Sequence, residues 1–318
     1  MPRTTPTPAS PPASTPVAPD QRATADAADH AHQPLVIPVM LAGSALWGLY
    51  WLPLRWLEQA GLGGFWALTL IYIGATAMLG LAAHRHWRAV AAARWRLLGI
   101  ATSGAVSGIA FGLGMLEGEV ARVLILFYLS PVWAVLLGRV LLGERLLVVT
   151  VPALVLALFG AGLMLLSDTR GLGQGLLGAF SVADLLGLVA GFAFALTNVQ
   201  LRAGRGLPAA LKNLAAVALV PPLAAVAAVA MGSDFAAPPW ALLAALGLGV
   251  AWMSAMIAAT QYGVRRMPLQ RSSVLLLFEL IVGAVSAALI AGESLSLAEL
   301  AGGGCIVLAG LAVVWLRR

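Results

Sequence analysis

Leu126-Phe-Tyr-Leu-Ser-Pro-Val-Trp-Ala-Val-Leu-Leu-Gly-Arg-Val-Leu-Leu-Gly-Glu144-Arg-Leu146 has a counterpart 149 residues later. That counterpart is Leu275-Leu-Leu-Phe-Glu-Leu-Ile-Val-Gly-Ala-Val-Ser-Ala-Ala-Leu-Ile-Ala-Gly-Glu293-Ser-Leu295. The two align without a gap. Gly143-Glu144 falls on Gly292-Glu293, and Arg122, just upstream, falls on Arg271. A second match, at an offset of 147, puts Trp47 on Phe194 and Arg55 on Arg202. Each copy is a continuous apolar run of about 20 residues, the length that crosses the hydrocarbon of a bilayer as a helix. A strand of a membrane barrel would be about ten residues long with strict alternation. A helix also closes its own backbone hydrogen bonds where no water can.

Working outward, composition requires lipid-facing surface. The chain has 318 residues, 61% hydrophobic and 10% charged, where a soluble domain carries about 25% charged residues. Its mean hydropathy is +0.93. The net charge of +6 would suggest nucleic acid, but the charges sit in short loops between apolar runs, so nucleic acid is excluded as a partner. The single cysteine, Cys305, forms no internal disulfide and builds no metal cluster. Residues 1–34, rich in Pro, Ala, Thr and Asp, lack apolar periodicity and read as a disordered tail. No apolar core follows Arg3, so they are not a cleavable signal; the first span serves as its own.

Ten spans are predicted: 35–56, 63–83, 97–116, 121–142, 147–167, 182–202, 208–231, 239–262, 270–291 and 297–316. With the N-terminus in the cytoplasm, sixteen of the nineteen Lys and Arg residues face inward, and only Arg55, Arg122 and Arg170 lie outside. Glu58, Glu117, Glu119, Asp168, Asp184, Asp234, Glu293 and Glu299 fall on the outer side. Trp51, Trp56, Trp66 and Trp240 mark the outer interface, and Trp87, Trp95 and Trp315 the inner one. Five spans separate the repeated stretches, so the copies cross in opposite directions. The expected fold is an all-α integral membrane protein with two inverted repeats of five helices, 35–167 and 182–316. In secondary transporters so built, the site lies near the midplane between the halves.

The stretch from Pro131 to Leu-Leu-Gly-Glu144-Arg-Leu146, its echo from Glu279 to Gly292-Glu293-Ser-Leu295, and the Ala45-Leu-Trp47-Gly48 opening resemble the EamA-like branch of the drug/metabolite transporter superfamily. The resemblance covers nearly all of residues 35–316. It implies ten helices, cytoplasmic termini, and a central cavity lined by the first, third, fourth, sixth, eighth and ninth spans. It also implies export of amino acids or other metabolites. Leu280 stands where the second half of such proteins often has Pro, which puts a helix break there in question.

Glu279, near the middle of the ninth span, is the leading candidate for substrate binding or coupling. A lone carboxylate at that depth costs about 2.5–3.5 kcal/mol or more, so it needs a wet cavity, a partner or a proton. Ser272, Glu279 and Ser286 recur every seventh residue and share one stripe. Glu279 could bind a substrate ammonium or accept a coupling proton; the structural alternative is a bond to a neighbouring helix. Arg122 and Arg271 could draw anionic or zwitterionic substrates to the two mouths, or simply snorkel to headgroups. Trp47, Tyr128, Trp252, Asn198 and Gln261 supply broad walls and polar tips inside the spans; Trp133, Tyr50 and Gln200 belong to the same class. Pro131 is a candidate hinge, because it removes a backbone bond. Gly104, Gly108 and Gly112 read as a close-packing face. Glu144 and Glu293 read as caps or ion-pair partners at span ends.

There is no P-loop. His84 and His86 share a very basic loop and are not assigned a metal, and no nucleophile has a visible base. The sequence therefore predicts a secondary transporter and no enzyme, with no cofactor and no metal. Expected partners are a small-molecule substrate and the lipid bilayer, with a homodimer left open. The expected location is a bacterial-type inner membrane. Two other readings stay open: a drug or cofactor transporter of the same fold, and a membrane-embedded enzyme acting on lipid. A structural membrane partner without flux is a third.

Overall fold

The computed structural model describes residues 35–143, 150–166, 181–204, 206–233, 235–266, 269–293 and 295–315. The tail, Glu144, Arg145, Arg170 and the side chains of Arg271 and Ser272 lie outside the described residues. Within them the protein is helical, with no strand beyond one isolated bridge between Leu62 and Phe235.

Seven helices are long and apolar enough to cross a membrane. They are α1 (Leu35–Gln59), α2 (Gly64–His86), α3 (Arg88–Glu117), α4 (Val120–Leu142), α6 (Val182–Ala203), α7 (Ala209–Ala230) and α8 (Pro239–Gly263). Three further helices have shorter apolar runs: α5 (Thr150–Leu166), α9 (Leu269–Ser286, continued over Ala287–Ala291) and α10 (Leu297–Trp315). Helix α3 starts at Arg88, nine residues before the predicted span. Its first three turns carry Arg88, Arg94 and Arg96 and keep Trp95 exposed, so the basic stretch extends the helix beyond the apolar run rather than forming a loop.

Several helices are interrupted where the sequence removes or redirects a backbone bond. Helix α4 breaks at Tyr128 and resumes at Ser130, with Pro131 in its new first turn. Proline lacks the N–H that would continue the ladder, yet suits a helix start. Pro131 therefore opens a second segment instead of kinking a continuous one. Leu280 sits inside unbroken helix; the break in α9 comes later, as a π-helical turn over Ala287–Ala291. A similar turn interrupts α8 at Gly249–Met253.

Helix α3 lies along α6 and α7, α2 along α7 and α8, α4 along α6 and α9, and α5 along α10. Contacts between α1 and α8 are made at Met40, Gly43 and Leu46. Small residues permit the approach. A Cβ at Gly104 would collide with the Ala216 carbonyl oxygen of α7, while one at Gly108 would meet Tyr72 of α2. Large apolar side chains such as Leu81, Val155, Leu289 and Leu297 point outward. This is the arrangement expected of a bundle whose outer solvent is lipid and whose interfaces rely on close packing of small residues.

Candidate functional site

At its middle, α9 crosses α1 at Gly48, where a Cβ would press on the Glu279 carbonyl oxygen and the Gly283 nitrogen. This contact brings Glu279 into the interior, 6% exposed. Glu279 Oε2 lies 3.2 Å from the Tyr128 hydroxyl, which also lies 2.8 Å from the Leu276 carbonyl oxygen. A tyrosine hydroxyl has one hydrogen. If it goes to Leu276, the Tyr128 oxygen can only accept from a protonated Glu279. If Glu279 is ionised, Tyr128 donates to it and Leu276 loses this bond. The other oxygen, Glu279 Oε1, is buried with no hydrogen-bond partner among the described residues.

Two more buried polar atoms on the same stretch of α1, Ser44 Oγ and the Tyr50 hydroxyl, lack partners among the described residues. Nothing in the sequence singles out Ser44, because a serine in a helix commonly bonds its own backbone. Around these atoms runs a line of aromatic rings. Trp47 meets Tyr50 at 6.3 Å and Phe111 of α3 at 6.4 Å. Phe111 meets Phe127 of α4 at 4.8 Å, and Phe127 meets Phe194 of α6 at 5.1 Å. Trp252 of α8 closes the other side and donates from Nε1 to the Leu46 carbonyl at 3.2 Å. The structure thus gathers Glu279, Tyr128, Trp47 and Trp252 around the crossing of α1 with α8 and α9. Asn198 and Gln261 are half-buried on α6 and α8.

Arg122 is placed elsewhere. It is 7% exposed, and its guanidinium faces protein carboxylates. Its Nε and Nη2 donate to the two oxygens of Asp184 at 2.6 and 2.9 Å, and Nη1 donates to Glu299 Oε1 at 3.2 Å. Both acids also cap helices. Asp184 accepts from the Ser181 N–H at 3.0 Å, and Glu299 from the Ser296 N–H at 2.8 Å, and each serine hydroxyl oxygen accepts in turn from its acid's N–H. One cation and the N-termini of α6 and α10 thus face two carboxylates. The signal for this was present in Ser181-Val-Ala-Asp184 and Ser296-Leu-Ala-Glu299, two capping-box patterns. What a sequence cannot give is that both converge on one arginine.

A crevice of about 790 Å³ lies between α3, α4 and α6. Leu98, Thr102, Val106, Trp133, Phe192 and Gln200 line it. The α3 residues here stand on the face away from Gly104 and Gly108, so the crevice is separate from the aromatic line. Trp133 Nε1 and Gln200 Oε1 are buried without partners among the described residues. No group of three His, Cys, Asp or Glu positioned for a metal ion occurs among the described residues.

Comparison with known proteins adds three findings. Residues 35–166 match the family model of the EamA-like transporter family. An uncharacterized transporter of Archaeoglobus fulgidus is 29% identical over 225 residues, covering 69% of this chain and 76% of that protein. A solved crystal structure superposes with a TM-score of 0.58 over 88% of this chain and 96% of the other, at 17% identity, a likeness of fold alone.

Proposed function

We propose that the chain, whose residues 35–166 match the EamA-like transporter family and whose relative in Archaeoglobus fulgidus is named a transporter, works as a secondary transporter exporting a small metabolite or amino acid. On this reading all ten helices cross an inner membrane, as two inverted halves with both termini cytoplasmic. A set of helix pairings supports the halves, because exchanging the halves returns each pairing to one of the set. The pair α1 with α8 answers to α6 with α3, and α2 with α8 to α7 with α3; α2 with α7, α4 with α9 and α5 with α10 map onto themselves. The glycines of the repeated Gly-Glu also behave alike. Gly143 and Gly292 end their helices with φ of +68° and +69°, a left-handed conformation that favours glycine.

The observation that carries the mechanism is the buried Glu279 carboxyl, with one oxygen on Tyr128 and the other without a partner among the described residues. A substrate ammonium or a coupling proton would satisfy it. Tyr128, from the first half, would register that event by turning its hydrogen between Glu279 and Leu276 of the second. Trp47 and Trp252 would form the walls, and Tyr50 and Ser44 would offer hydroxyls to the polar end of a small amphipathic substrate. The family match and the transporter-named relative point away from a lipid enzyme.

The test compares extracellular metabolites of cells making the wild type, Glu279→Gln at equal level, and no transporter. One compound accumulating outside only with the wild type is the expected result. Profiles identical in all three would overturn the export reading.

A further inference from the structure

We infer that Arg55 and Glu293 form a latch that closes the outer end of the pathway. It rests on the transporter reading and adds to it the residues that control access. Glu279 and Arg122 take no part in it.

Arg55 stands one turn before the end of α1. Its Nη2 donates to the Gly118 carbonyl at 2.9 Å and to Glu293 Oε1 at 3.1 Å. The other oxygen, Glu293 Oε2, accepts from the Ala121 N–H at 3.4 Å. The guanidinium lies over the Trp51 ring, 4.9 Å from its centroid. Trp51 in turn donates from Nε1 to Ser286 Oγ at 3.1 Å, and Ser286 donates to the Gly283 carbonyl at 3.0 Å. One side chain thus ties the end of α1 and the α3–α4 connection, both of the first half, to the α9–α10 connection of the second. Gly292, with φ +69°, turns the chain so that Glu293 faces back, and the Glu293 N–H closes onto the Ala287 carbonyl.

The latch lies above the candidate site. Arg55 is seven residues past Gly48, the crossing point with Glu279, or about 10 Å along a helix. Trp51 and Ser286 fill the space between. The ion pair is part-exposed, with Arg55 at 25% and Glu293 at 11%. A buried pair such as Arg122–Asp184 would hold the halves permanently, because breaking it leaves a charge stranded in the interior. A pair at the rim can open, because water replaces each partner at small cost. Neutral Gln at 293 keeps the shape of the loop and loses the charge. Reversing both residues keeps the attraction.

The test measures access beneath the latch. Cys305 is replaced by serine and Ser286 by cysteine, and the protein is reconstituted in lipid nanodiscs, where both faces are open. The rate of reaction with a cationic methanethiosulfonate reagent is then read. Arg55→Ala and Glu293→Gln are each expected to raise the rate about tenfold, equivalent to about 1.4 kcal/mol. The pair R55E with E293R is expected to return it towards the parent. A second series keeps native Cys305 as the sole thiol and is expected not to change. Unchanged rates at position 286 in both single variants would overturn the latch. So would equal increases at 286 and 305, which indicate a loosened fold. The assay needs no substrate, so a failed latch leaves the transporter reading standing, and a failed export profile leaves the labelling result intact.

Discussion

Replacing Arg122 with alanine strands two buried carboxylates. Asp184 is 1% exposed and Glu299 7%, and Arg122 gives them three short donor contacts. Breaking a buried pair by removing one partner costs about 3–5 kcal/mol. The two serine caps reduce that cost but do not remove it, because each cap bond existed before the substitution. At about 2–4 °C per kcal/mol for a chain of this order of size, the melting temperature should fall on the order of 10 °C. The assay is thermal unfolding in detergent micelles, read as loss of the monodisperse peak in gel filtration. Arg122→Ala combined with Asp184→Asn and Glu299→Gln should recover a large part of the loss, since no stranded charge remains. A fall equivalent to less than about 1 kcal/mol for the single variant would refute the reasoning. It would mean that the arginine reaches headgroups and contributes no more than an exposed pair.

Tyr128→Phe removes a partner of Glu279 and of the Leu276 carbonyl; export should fall about tenfold or more, with a stability cost of about 1–3 kcal/mol, measured by efflux and unfolding on the same preparation. Gly104→Leu drives a side chain into the Ala216 carbonyl of α7 and should destabilise by about 1–3 kcal/mol or more. Gly247→Ala, which meets nothing within 4 Å, should leave the melting temperature unchanged or slightly raised. Ser181→Ala and Ser296→Ala each lose a cap worth about 1 kcal/mol, and because the caps also orient the acids on Arg122, the double variant should lose more than the sum, as a double-mutant cycle would show.

The sequence alone determined the membrane class, since a chain with 10% charged residues has no means of covering a soluble surface, and seven of its helices are long and apolar enough to cross a bilayer. It also determined which side chains share an end of the bundle. Arg55, Arg122, Asp184, Glu293 and Glu299 were all assigned to one side by charge counting, and the structure joins them in two clusters. Glu279 was legible because a carboxyl in the middle of an apolar helix has no cheap explanation. Only the tertiary structure decided the partners. Arg122 is fixed between two helix caps, and Arg55, which the sequence left as an unremarkable outer charge, joins α1 to the α3–α4 connection and to Glu293 of the α9–α10 connection. The reason is physical. Apolarity and charge sidedness are properties of one helix in a bilayer, readable residue by residue. The partner of a buried charge depends on how helices far apart in sequence cross, and that is set by small contacts such as Gly48 against α9 and Gly104 against α7.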